Sequence, residues 1–184
     1  MGFSKWILER FGWEIDSESP KGVKKAVVVM GPHTSNWDFV IGRLAFQHYK
    51  VKGTYLIKSD LFFWPLGPIL KRMGGIPINR SKNNNFTDQA VAYFENNETM
   101  FMVFTPEGTR SYSPNWKKGF YYIALKAKVP IYLGYVDFKH KKGGFLERFD
   151  PTGDVEKDIR YIKTQLSQFQ GRNPEQGIRH PDKE

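Results

Sequence analysis

His33 and Asp38 stand five residues apart in the stretch Met30-Gly31-Pro32-His33-Thr34-Ser35-Asn36-Trp37-Asp38. An imidazole with one ring nitrogen bonded to a carboxylate is held in one tautomer, and its other nitrogen can take a proton from a hydroxyl near neutral pH. Such a pair needs no protein nucleophile. On an unbroken helix, side chains five residues apart point about 140° from each other, so the two can meet only if the chain bends at His33. The competing reading is a histidine at a helix start, with Asp38 complementing the helix dipole.

The surrounding sequence supplies such a bend. Residues 26–30 form an apolar run rich in valine, as in a strand buried on both faces of a parallel sheet. Gly31-Pro32 ends it. Ser35 or Asn36 can accept from the free N–H groups of a following helix, which Trp37, Val40, Ile41, Leu44 and Phe46 continue. His33 is therefore expected at a strand-to-helix corner, with Asp38 in the first helical turn.

Further strands are expected at residues 54–57, 100–104 and from 129 to about 137, and helices at about 85–95, after Phe120 to 127 and from 154 onward. The last helix carries Val155, Ile159, Ile162, Leu166 and Phe169 on one stripe. The fold class is α/β: a single domain over residues 1–170, with a mixed, mostly parallel sheet flanked by helices and an N-terminal amphipathic helix over 1–15. In that helix Phe3, Trp6, Ile7 and Phe11 recur at helical spacing, suited either to a lipid headgroup region or to the domain core. Residues 61–70 are apolar throughout and must be buried or face lipid or an acyl chain; burial in the protein is expected, as for most large apolar residues. Residues 171–184, with Gly, Pro and charge, are expected as a frayed tail.

Loops at the carboxyl ends of such strands are where ligands bind in open α/β sheets. Beside the His33 corner, two qualify. Residues 74–80 place Arg80 at a strand exit, where a guanidinium can grip an anion bidentately. Residues 105–111 carry Glu107, Gly108, Thr109 and Arg110, in which the glutamate and arginine can also simply pair across a turn. Lys117 and Lys118 follow beside Trp116.

Composition narrows the classes. Net charge +9 suggests an anionic partner: nucleic acid, an anionic membrane surface or a phosphorylated substrate. No RNP, helix-turn-helix or zinc pattern supports nucleic acid. With zero Cys, disulfides, thiolate catalysis and Cys-ligated zinc are excluded, and no metal-ligand spacing is present. No apolar stretch nears the ~20 residues needed to span a bilayer, nor does the N-terminus read as a signal peptide. A cytoplasmic protein, peripheral on the inner face of the membrane, is expected.

Four elements stand in one order: His33 to Asp38, Gly75 to Arg80, Glu107 to Arg110, and Val129-Pro130-Ile131. Over residues 25–137 this set resembles the glycerolipid acyltransferase family, of the 1-acylglycerol-3-phosphate acyltransferase type. The resemblance implies a general base at His33 oriented by Asp38, and a substrate-phosphate site formed by Arg80, Glu107, Gly108, Thr109 and Arg110, with Lys58 as a further phosphate ligand. It implies acyl transfer from acyl-CoA or acyl carrier protein to a lysophospholipid hydroxyl in phospholipid biosynthesis, with no metal or other cofactor. Pro32 stands where the family commonly has Asn, Asn79 where Asp is frequent, Thr105 where Phe is usual, and Leu133 where a second Pro is common. These departures touch acceptor recognition and no catalytic group. The alternative of a different class is a nonenzymatic module that binds anionic lipid through the amphipathic start and the basic surface.

Overall fold

The computed structural model describes residues 2–16, 20, 22–79 and 86–183. Helix α1, Phe3–Arg10, leads into a short strand β1, Glu14–Ile15, and then β2, Lys25–Gly31. The chain continues through α2, Asn36–His48, and β3, Gly53–Lys58. A single 3-10 turn, α3 at Leu66–Arg72, and β4, Gly75–Ile78, come next. Then follow α4, Phe86–Glu95, β5, Met100–Phe104, α5, Gly119–Ala127, β6, Ile131–Asp137, β7, Lys142–Phe149, and α6, Val155–Leu166.

The strands form one seven-stranded sheet in the order β1-β7-β6-β2-β5-β3-β4. β2 through β6 run parallel wherever they pair, and β7 pairs antiparallel to β6. β2 is central, as its valine run requires: Val27 and Val29 enter a core with Phe94 of α4, Phe120 of α5 and Ile162 of α6. Ala26 and Val28 face the opposite layer, against Phe46 of α2. Each of these four side chains is fully buried, so the strand is a two-sided hydrophobic anchor.

This arrangement sets the site. β2 and β5 are neighbours, yet α2 leaves β2 onto one face of the sheet and α5 follows β5 onto the other. Their loops diverge and leave a crevice at the strands' carboxyl edge, where open α/β sheets bind ligands.

Two expectations change, for residues 61–70 and 171–184, and α1, left open between lipid and core, shows which of its faces is covered. The apolar stretch 61–70, expected to be buried, leaves Leu61, Phe63, Trp64 and Ile69 exposed, Trp64 by 84%. It leaves the sheet at the end of β3 and packs beside the edge strand β4, where only Gly67 of the stretch is buried. In α1 the buried positions are Ser4 and Leu8, Leu8 packing with Trp13, Ile41 and Val136, while Phe3, Trp6 and Phe11 face outward. The segment from Gly171 onward, polar enough to read as a tail, instead folds back onto the His33 corner, where its backbone and Asn173 find partners.

Candidate active site

At residues 32–34 the backbone is non-helical, and the helix begins at Asn36. The bend lets Nδ1 of His33 meet Oδ2 of Asp38 at 3.1 Å. Asp38 is 7% exposed and is the convergence point of the corner. Its Oδ2 also accepts from the N–H groups of Thr34 at 2.7 Å and Ser35 at 2.8 Å, and its Oδ1 from the Ser35 hydroxyl at 2.7 Å. The helix-start role and the imidazole-orienting role are thus one arrangement. The carboxylate that caps the helix also fixes the ring. Burial alone would raise the Asp38 carboxyl, but the bonds from His33, Ser35 and Thr34 outweigh it and hold the pKa below the ordinary carboxylate range.

The second brace comes from the loop after β5. Glu107 is 5% exposed, and its Oε1 accepts from the His33 N–H at 3.0 Å. Its Oε2 is buried with no partner among the described residues. Burial pushes the Glu107 carboxyl up, and the bond from the His33 N–H only partly offsets that. Glu107 thus supports the main chain that carries the imidazole.

With Nδ1 engaged by Asp38, Nε2 is the nitrogen left for chemistry. His33 lines two cavities. One is a cleft of about 910 Å³ bounded by Thr105, Gly108, Thr109, Arg110, Lys117, Lys118 and the rings of Phe86 and Phe120. The other is a smaller, mainly apolar pocket of about 240 Å³ that passes under α2, between Phe39, Gly42 and Phe46 and the sheet residues Met30, Tyr55, Leu56, Val103 and Val136. Leu56, Val103 and Thr105 line both.

The cleft is basic. The side chains of Arg110 and Lys117 have no hydrogen-bonded or ion-paired partner among the described residues, whereas Lys118 is paired with Glu156. Gly108 has φ +68°, a left-handed conformation that suits glycine. A Cβ there would come within 3.3 Å of Lys117 Cγ, so the bare glycine lets the lysine stem lie across the loop. Lys58 sits at the end of β3, ion-paired with Asp60 at 3.1 Å, and does not line the cleft. Arg80 lies outside the described residues.

Sequence reasoning picked out His33, Asp38 and the 107–110 loop, but not the apolar pocket, whose lining comes from five separate elements, β2, α2, β3, β5 and β6. It also left Thr34 and Asn173 without a role. Among the described residues no cluster of His, Asp and Glu could hold a metal ion, and no helix is long and apolar enough to cross a membrane.

Residues 14–133 match the acyltransferase family model. Among solved structures the chain is similar to the 1-acyl-sn-glycerophosphate (LPA) acyltransferase PlsC from Thermotoga maritima. The TM-score is 0.61 and identity 19%, over 90% of this chain and 74% of that one. No curated protein matches significantly.

Proposed function

Because the chain belongs to the acyltransferase family, an enzyme class that transfers acyl groups, we propose that it moves a fatty acyl group from a thioester to a hydroxyl of a lysophospholipid carrying a phosphate, of the 1-acylglycerol-3-phosphate kind. The observation that carries this reading is the position of His33 where a basic cleft meets an apolar pocket. The first suits a phosphorylated headgroup and the second an alkyl chain. The donor is acyl-CoA or acyl carrier protein, and no cofactor beyond it is needed.

In the reaction, Nε2 of His33 takes the acceptor hydroxyl proton as the oxygen attacks the thioester carbonyl carbon. Asp38 stabilises the imidazolium that forms. The tetrahedral adduct collapses with cleavage of the C–S bond, and the departing thiolate receives the proton from the imidazolium. The products are an ester and a free thiol. Arg110, with Thr109 and Lys117, holds the phosphate so that binding energy becomes positioning at the hydroxyl.

Thiol release tests this directly. It should depend on 1-acylglycerol-3-phosphate, and the same acceptor without its phosphate should be a poor substrate. Arg110→Ala should raise the acceptor KM roughly 10- to 100-fold, the loss of a charge-assisted bond worth about 1.5 to 3 kcal/mol, with little change against donor. Equal turnover of the dephosphorylated acceptor, or equal losses against donor and acceptor, would reject the assignment.

The same reading places the protein at a membrane. Phe3 and Trp6 are 71% and 55% exposed, and their rings stack at 6.3 Å. Burying a side chain such as Phe3 in the interface contributes roughly 1.5 to 3 kcal/mol, and each near-surface Lys or Arg about 1 kcal/mol at moderate salt. High salt should therefore weaken binding to anionic vesicles without abolishing it. Phe3→Glu with Trp6→Glu should abolish it and leave the fold intact, since Ser4 and Leu8 hold α1 to the domain. Unchanged sedimentation of that double variant with vesicles would remove α1 from the membrane-binding surface.

A further inference from the structure

We propose that the C-terminal segment completes the catalytic corner, with Asn173 acting as a positioning residue that holds the His33–Thr34 turn in its working geometry. This rests on His33 being the general base.

Thr34 is 2% exposed, and its polar groups are divided between two distant parts of the chain. Its N–H goes to Asp38. Its side-chain oxygen accepts from the Asn173 N–H at 3.2 Å, and its carbonyl accepts from the Asn173 side-chain amide at 2.9 Å. A buried carbonyl deprived of that amide has lost its partner from the chain and gains by moving toward water. His33 is the next residue, so any such movement carries the imidazole with it.

The approach of the segment is close on both sides of the corner. Gly171 is buried against Thr34, where a Cβ would lie 2.5 Å from both Cγ2 and Oγ1 of the threonine. Ile178 packs on Gly31, the residue that ends β2, at a distance of 2.8 Å from where a Cβ would stand. The stretch is fastened upstream by the Phe138 N–H to the Gln170 carbonyl at 2.8 Å, and downstream by the pair of Arg160 with Asp182. It is therefore a strap fixed at two ends with Asn173 between them. The turn is held from three directions: by Asp38 from α2, by Glu107 from the loop after β5, and by Asn173 from a position 139 residues along the chain from Thr34.

A displacement of about 1 Å in a catalytic group can cost about 100-fold in rate. Asn173→Ala should lower kcat roughly tenfold with the KM for donor and acceptor little changed, the pattern of an interaction that serves the transition state rather than substrate binding. Asn173→Asp is isosteric and should keep the fold, but it sets a carboxylate oxygen against the Thr34 carbonyl, so its kcat should fall at least as far. Gly171→Ala, which pushes the strap away instead of removing a bond, should act in the same direction. Arg172→Ala, whose guanidinium lies over the Trp37 ring at 5.5 Å and touches neither His33 nor Thr34, should leave kcat unchanged.

Thermal unfolding of each variant separates positioning from stability. A lowered Tm with wild-type kcat in folded Asn173→Ala and Asn173→Asp would overturn the proposal and leave the segment a brace for stability alone. If His33→Ala is inactive while the Asn173 variants turn over normally, only this inference falls. If His33→Ala is active, the base assignment falls with it.

Discussion

His33→Ala is expected to lower thioester-dependent acyl transfer by roughly 10²- to 10⁴-fold, the range a positioned general base contributes. The loss should appear in kcat with every donor and acceptor, because the imidazole lies at the junction of both cavities and lines each of them. The protein should remain folded: the His33 side chain is 20% exposed and its main chain, which Glu107 holds, is untouched by the substitution. Stopped-time thiol release on a folded sample checks this. Turnover within a few-fold of wild type would remove the general-base mechanism.

Asp38→Asn is expected to approach that loss. An orienting carboxylate alone would matter less than the base itself, since the imidazole remains. Here, however, Oδ2 accepts at once from the Thr34 and Ser35 N–H groups and bonds the His33 ring. An amide in that position must either turn its NH₂ toward those donors or give up the ring. Either outcome loosens the corner, so a fall of about 100-fold or more in kcat is expected, together with a lowered Tm.

The pH dependence of the Tm has a defined sign. The folded pKa of Asp38 is depressed, so its contribution is complete above the ordinary carboxylate value of about 3.9 and is lost as pH falls through the depressed one. The Tm gap between wild type and Asp38→Asn should stay constant at neutral pH and narrow only in that acid range. A gap that closed near pH 6 would mean that the stabilising partner is not the ionised carboxylate.

The central strand and the corner were legible because each is a local pattern. The valine run, Gly31-Pro32 and the Ser35-to-Asp38 helix start determine geometry within a dozen residues. Strand β7 was not among the expected strands: its glycines at 143 and 144 carry no strand pattern, and pairing with β6 and β1 makes the segment extended. The outward aromatics of α1 were ambiguous for a similar reason. Helical spacing reports that Phe3, Trp6 and Leu8 fall on particular faces, but not which face the rest of the domain covers. Glu107 was found by its motif, but its bond to the His33 main chain was not. Its distance to the His33 N–H depends on the register of β5 beside β2, which no spacing within the loop reveals. Asn173 gave no local signal at all.

The divergence of α2 and α5 onto opposite faces of the sheet also bears on how such an enzyme can change its diet. The apolar pocket draws on α2 and its neighbouring strands, whereas the cleft draws on the 105–110 loop and the segments that begin α4 and α5. In the proposed reaction one layer of the protein meets the alkyl chain and the other the headgroup, with the imidazole as their hinge of contact. Phe46 and Lys117 belong to different layers and line different cavities. Selection for a new chain length and selection for a new headgroup can then proceed as separate histories, each written in its own helices, without disturbing the chemistry between them.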